Sequence, residues 1–240
     1  MTKPFIIITG ASSGIGKATA QLLSKKGYPL LLLGRRIEKM QDLDLPNCLC
    51  EKVDVTDRRG LLSAYTKAKK QFSQVGGIIN NAGLMLLGEM ENQDPQEWQN
   101  MIDVNISAVL NGIHTVLPDM VAANAGTIIN ISSIAGRKTF PNHGVYCATK
   151  FAVHGLSESL REEVANHDIR VVTIAPGVVQ TELLGHTSSE KIISEYESWK
   201  ADVGKVLDPE DVAHAILYAY EQPKHVCVRE IVLAATRQLP

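Results

Sequence analysis

The chain has 240 residues, 45% hydrophobic and 21% charged, with 18 Gly and 10 Pro, which suits a globular protein with a sizeable core and excludes disorder, collagen and coiled coil. A net charge of −2 offers no basic stripe for nucleic acid, and the longest apolar runs, such as 5–8 and 30–33, fall far short of a membrane span. Seven short runs, 4–9, 29–33, 48–53, 77–80, 126–132, 169–174 and 230–235, are continuously apolar, as strands covered on both faces are. Between them 16–26, 58–72, 95–121, 146–167 and 209–222 carry helical periodicity. This alternation predicts an α/β protein with a doubly wound parallel sheet, because parallel neighbours need crossovers and right-handed crossovers put helices on both faces. No linker or repeat divides it, so 1–240 reads as one domain, with ligands at the carboxyl ends of the strands.

The start, Met1-Thr-Lys-Pro and four apolar residues, is too short for a signal-peptide core, so the mature chain is expected to begin here. Cys48, Cys50, Cys147 and Cys227 then read as reduced thiols in a cytoplasmic protein. Cys48 and Cys50 are expected to share one face of a strand. No further Cys or His completes a four-ligand set and none of the seven His has metal-site spacing, so no metal is expected.

The first run ends in Thr9-Gly10-Ala11-Ser12-Ser13-Gly14-Ile15-Gly16, a glycine-rich turn opening a helix. Such a turn lets backbone N–H groups approach a pyrophosphate whose charge the helix N-terminus stabilises, which makes Gly10, Ser12, Ser13, Gly14, Ile15 and Gly16 the candidate cradle of a Rossmann dinucleotide site. The same residues spell the G-x-S-x-G of a hydrolase elbow, but nothing upstream supplies its second oxyanion donor. A plain tight turn is the bland alternative. After the second run Gly34-Arg35-Arg36 provides no carboxylate for a ribose 2′-hydroxyl but two guanidiniums for a 2′-phosphate, so NADP(H) is expected over NAD(H). The competing reading makes both arginines the start of a solvated helix over 35–40.

Tyr146 and Lys150 are four apart on a helical pattern and share a face. Alone, such a pair is usually a surface pair; here the ammonium is expected to lower the phenol's pKa. With these residues in place the chain resembles the short-chain dehydrogenase/reductase family. The resemblance rests on the Gly10, Gly14, Gly16 loop, Asn80-Asn81-Ala82-Gly83, Asp54-Val55, Asn105, Ser133 thirteen residues before the tyrosine, Tyr146-x-x-x-Lys150 and Pro176-Gly177, and it covers the whole length in order. The C-terminal stretch from Ile231 departs from the family's V-D-G-G, which bears on substrate and subunit contacts.

The resemblance implies that Tyr146 passes a proton to the carbonyl oxygen as hydride arrives, that Ser133 bonds that oxygen, that Lys150 holds the nicotinamide ribose, and that Asn105 anchors a water relay. It also implies Asp54 and Val55 at the adenine, Asn81, Ala82 and Gly83 at the ribose and loop, and Pro176, Gly177, Val179 and Thr181 around the nicotinamide. A small-molecule carbonyl or alcohol substrate and a homo-tetramer follow from it. Within the irregular stretch 182–206, Ile192, Ile193, Tyr196 and Trp199 make an apolar stripe that either packs on the domain or closes as a lid over the cleft. The chain resembles the branch with serine-type dehydrogenases, and over its length also the NADPH-dependent blue fluorescent proteins, which enhance emission of bound NADPH. An NADPH-sensing module is a third reading.

Overall fold

The first apolar run forms β1 (Phe5–Thr9), whose side chains alternate between two cores: Phe5 and Ile7 enter one, Ile6 and Ile8 the other, and all four are fully buried. Burying such a side chain stabilises by about 1.5–3 kcal/mol, so both faces of this strand must be covered. A computed structural model describes residues 3–239. They add β2 (Leu30–Gly34), β3 (Cys48–Lys52), β4 (Val75–Asn80), β5 (Gly126–Ile131), β6 (Ile169–Pro176) and β7 (Glu230–Leu233) to β1 in one parallel sheet of order β3-β2-β1-β4-β5-β6-β7. This is the expected doubly wound, Rossmann-like α/β sheet.

One face packs α1 (Gly14–Lys25), α2 (Ile37–Gln41) and α8 (Pro209–Tyr220) through Leu23, Met40, Val212 and Ile216. The other packs α3 (Arg58–Phe72), α5 (Ala108–Ala123) and α6 (Gly144–Glu163) through Leu61, Val109, Ile113, Val153 and Leu160. The strand order reverses between β1 and β4, and the crevice for a ligand opens beyond their carboxyl ends.

Three local expectations change. The periodicity at 95–121 predicts one helix; instead α4 (Pro95–Ile102) leads into a π-helical turn, Asp103–Ser107, and then α5. The extra residue leaves the apolar pattern continuous, so periodicity does not reveal it. The helix carrying Tyr146 starts two residues earlier, at Gly144, and β6 runs on to Pro176. Within Pro95–Ala123 a window of 18 residues with mean hydropathy 1.3 is long and apolar enough to span a membrane, but Val109, Ile113, Val116 and Met120 are buried against the sheet. Cys48 and Cys50 do share a face, their Sγ atoms 3.8 Å apart. No cluster of three or more metal-ligating side chains occurs among the described residues.

Candidate active site

The chain leaves β1 through Gly10, at φ +66, and enters α1 through Gly14, at φ +52, both in the left-handed region that favours glycine. Asn81, just beyond β4, fastens this loop: its side-chain amide donates to Thr9 O at 2.9 Å, while the backbone N–H groups of Asn81 and Ala82 donate to Thr9 Oγ1 at 3.0 Å each. Gly16 sits beneath, where a Cβ would lie 2.4 Å from Gly10 O. The cap residue of α1, Ser13, makes no side-chain bond to the helix, and its first turn holds no acidic residue. The first N–H groups and the positive end of the dipole therefore face the cleft without a built-in anion.

That cleft is about 680 Å³ and runs from the glycine loop to Tyr146. Of the expected site residues, only Gly16 and Asn105 do not line it; Gly10, Ser12, Ser13, Gly14, Ile15, Gly34, Arg35, Arg36, Asp54, Val55, Asn81, Ala82, Gly83, Ser133, Tyr146, Lys150, Pro176, Gly177, Val179 and Thr181 all do. Arg36 caps α2 and turns back to the loop, with Nη2 2.8 Å from Ser13 Oγ and 3.2 Å from Ser12 Oγ. Asp54 accepts from Thr56 N and Thr56 Oγ1, bonds that hold its carboxyl below the usual range with help from Arg35. The uncapped helix, the left-handed glycines and the guanidiniums at the end of β2 fit a dinucleotide bearing a 2′-phosphate.

At the other end α6 presents Tyr146 and Lys150, 6% and 5% exposed. Lys150 Nζ donates to Ile131 O at 3.0 Å and lies 5.7 Å from the centre of the Tyr146 ring. Burial pushes its pKa down to about 8. The expected lowering of the Tyr146 pKa does not appear: burial raises it, and the hydrogen bond with Ser133 offsets only part of that rise. The ammonium is committed to a carbonyl and is itself desolvated, so it does little for the phenolate. Ser133 Oγ accepts from Ala135 N at 3.1 Å and donates to Pro176 O at 3.3 Å, which fixes it at the carboxyl end of β5. Asn105, in the π turn, accepts from Leu84 N and donates to Leu84 O and Thr149 Oγ1, so its amide braces the loop after β4 against α6.

Two residues escaped the sequence reading. His143, three before Tyr146, stands between the rings of Tyr146 and Tyr196, with centroids 6.3 and 6.1 Å away. Glu182, beyond β6, pairs with Arg36 at 2.8 Å and with Lys39 at 3.6 Å. A lone His and a Glu in an irregular stretch carry no spacing signal. The stripe 192–199 lies on α7 (Glu190–Val203), and its Ile192 is buried in a cluster with Tyr146, Met85 and Leu87.

The crevice beyond the glycine loop thus ends at the buried Tyr146 and Lys150, with the half-buried Ser133 beside them. A family model described as short chain dehydrogenase matches residues 4–192, and the chain belongs to that family. It is 41% identical over 241 residues to an uncharacterised oxidoreductase of Listeria monocytogenes, covering 97% of this chain and 96% of that one. Among solved structures it is similar to a serine dehydrogenase in its closed form complexed with NADP+, at 29% identity and TM-score 0.91, covering 98% and 97%. It is also similar to an alcohol dehydrogenase from the archaeon Thermococcus sibiricus complexed with 5-hydroxy-NADP, at 25% identity and TM-score 0.83, covering 99% of each chain. None of these three is named as a fluorescent protein, and the fluorescence reading gains no support from them.

Proposed function

We propose that the protein is an NADP(H)-dependent oxidoreductase acting on a small carbonyl or alcohol. The observation that carries this reading is the single cleft joining the uncapped N-terminus of α1 and Arg36 to the half-buried Ser133 and the buried Tyr146. Gly10, Gly14 and the α1 N–H groups take the pyrophosphate, Arg36 and Arg35 the 2′-phosphate, Asp54 and Val55 the adenine side, and Lys150 the nicotinamide ribose. The reduced cofactor supplies a hydride. Ser133 bonds the carbonyl oxygen, and Tyr146 gives that oxygen its proton or removes it in the reverse direction. The raised pKa keeps Tyr146 protonated at neutral pH, the form needed for reduction. Asn105 positions the loop beside α6, and α7 covers the reacting end as a lid. The expected homo-tetramer belongs to the same proposal, supported by Leu110 and Phe151, left exposed on α5 and α6.

The test is direct: titrate NADPH and NADH by intrinsic fluorescence, then follow NADPH oxidation with a panel of ketones and aldehydes. Tighter NADPH binding and turnover of at least one carbonyl are expected. Equal affinity for the two cofactors removes the 2′-phosphate site.

A further inference from the structure

Above the reacting pair the cleft holds two polar groups that nothing in the proton transfer uses. Tyr196 sits on α7, among the apolar residues that pack around Tyr146, and its hydroxyl makes no hydrogen bond among the described residues. His143 closes the other side: its Nδ1 lies 2.6 Å from Pro141 O. A carbonyl only accepts, so Nδ1 carries the proton and the neutral ring keeps a lone pair on Nε2, which has no partner among the described residues. Burial lowers the His143 pKa and favours that neutral form. The His143 ring is 6.1 Å from that of Tyr196 and 6.3 Å from that of Tyr146, and all three side chains line the same cleft as Ser133.

A phenol that donates and accepts, facing an imidazole that accepts, complements a hydroxyl group. The same imidazole lone pair repels a carboxylate. Lys200, the lid cation lining this end, is matched by Glu197 at 3.4 Å. Around these groups Phe140, Ile192 and Trp199 make apolar walls.

Resting on the reductase reading above, we infer that Tyr196 and His143 form a hydroxyl-recognition site, and that the substrate is an uncharged ketone with a hydroxyl beside the carbonyl, on an apolar or aromatic frame. In the reduction the carbonyl carbon gains a C–H bond from the hydride and its two electrons. The π pair moves to oxygen, which takes the Tyr146 proton; Tyr146 regains a proton from solvent, so ketone, NADPH and H+ give a 1,2-diol and NADP+.

The experiment compares 2-hydroxyacetophenone, acetophenone and benzoylformate as substrates with NADPH, in the parent and in Tyr196→Phe. One good hydrogen bond to the added hydroxyl gives the parent about a tenfold preference in kcat/KM for 2-hydroxyacetophenone over acetophenone. In Tyr196→Phe that ratio falls toward one, mainly through KM for the hydroxyketone. Benzoylformate is the poorest of the three. Equal efficiency with the first two ketones in the parent, a ratio unmoved by Tyr196→Phe, or a preference for benzoylformate overturns the inference while leaving the reductase reading intact. Turnover of none of the three and of no carbonyl in the wider panel overturns both.

Discussion

Arg36 joins the two walls of the cleft: one guanidinium nitrogen lies 2.8 Å from Ser13 on the glycine loop, and another lies 2.8 Å from the Glu182 carboxylate beyond β6. A 2′-phosphate would draw on the same donors, so Glu182 stands as an internal competitor for them. The side chains are 45% and 57% exposed, and a pair so open to solvent is worth about 0–1 kcal/mol. Glu182→Gln should therefore tighten NADPH by no more than about fivefold and leave NADH nearly unchanged. Arg36→Ala should weaken NADPH by roughly tenfold or more, the loss of a charge-assisted contact of about 1.5–3 kcal/mol, and narrow its advantage over NADH. Titration of both cofactors against both variants checks this. An unchanged NADPH constant in Arg36→Ala would move the phosphate to Arg35.

Tyr146→Phe keeps the ring that packs with Met85, Leu87 and Ile192 but removes the proton that the oxygen needs. NADPH binding should persist, and reduction of any accepted carbonyl should fall by about 10²–10⁴. Single-turnover rates separate this from slow product release. A rate within a few-fold of the parent would take Tyr146 out of the proton transfer.

The glycine loop, the strand-by-strand order and the Tyr146–Lys150 pair were legible because each is local. Seven apolar runs and their crossovers specify a doubly wound sheet, and the loop's chemistry is written in eight consecutive residues. Contacts between distant segments were not legible: Arg36 meets Glu182 across 146 residues of sequence. The pKa of Tyr146 shows the same limit. The spacing put an ammonium near the phenol but could not show that it turns to Ile131 O, or how deeply both are buried. The π turn at Asp103–Ser107 stayed hidden because the apolar pattern continues through it.

Glycine plays opposite parts at two helical positions. At Gly16 an added Cβ would lie 2.4 Å from Gly10 O and 2.6 Å from Asn81 Nδ2, so the loop fastened by Asn81 would have to move. Gly16→Ala should cost about 1–3 kcal/mol, and weaken NADPH binding because the cradle shifts. At Gly155, exposed on α6 one turn beyond Phe151, a Cβ meets nothing of its own protomer within 4 Å, and Gly155→Ala should stabilise the protomer by about 0.5–1 kcal/mol. Thermal melts should move in opposite directions, by about 2–4 °C per kcal/mol in a chain of this size. A Gly16→Ala protein that melts and binds NADPH like the parent would show that close packing there is not required.

Lys150 links the site to stability through pH. Its folded pKa is held down at about 8 by burial, against an ordinary 10.5. Between these values the unfolded chain binds the proton and the folded one does not, so stability rises with pH across that window. Below pH 8 both states are protonated and the desolvation penalty is present in full. Lys150→Met removes the group and with it the slope: from pH 7 to 9.5 the parent should gain about 2 kcal/mol relative to the variant. Tyr65, Tyr146, Tyr220 and Cys48, whose pKa values are raised by burial or hydrogen bonding, lose stability at higher pH, but they are common to both proteins and largely cancel. At pH 7 the variant should be no less stable than the parent, since an apolar side chain replaces a buried charge, yet it should bind NADPH weakly and turn over slowly. Urea unfolding at pH 7, 8, 9 and 9.5 gives the comparison. A difference between the two proteins that stays flat across those four values would mean that the Lys150 ammonium is not desolvated in the fold.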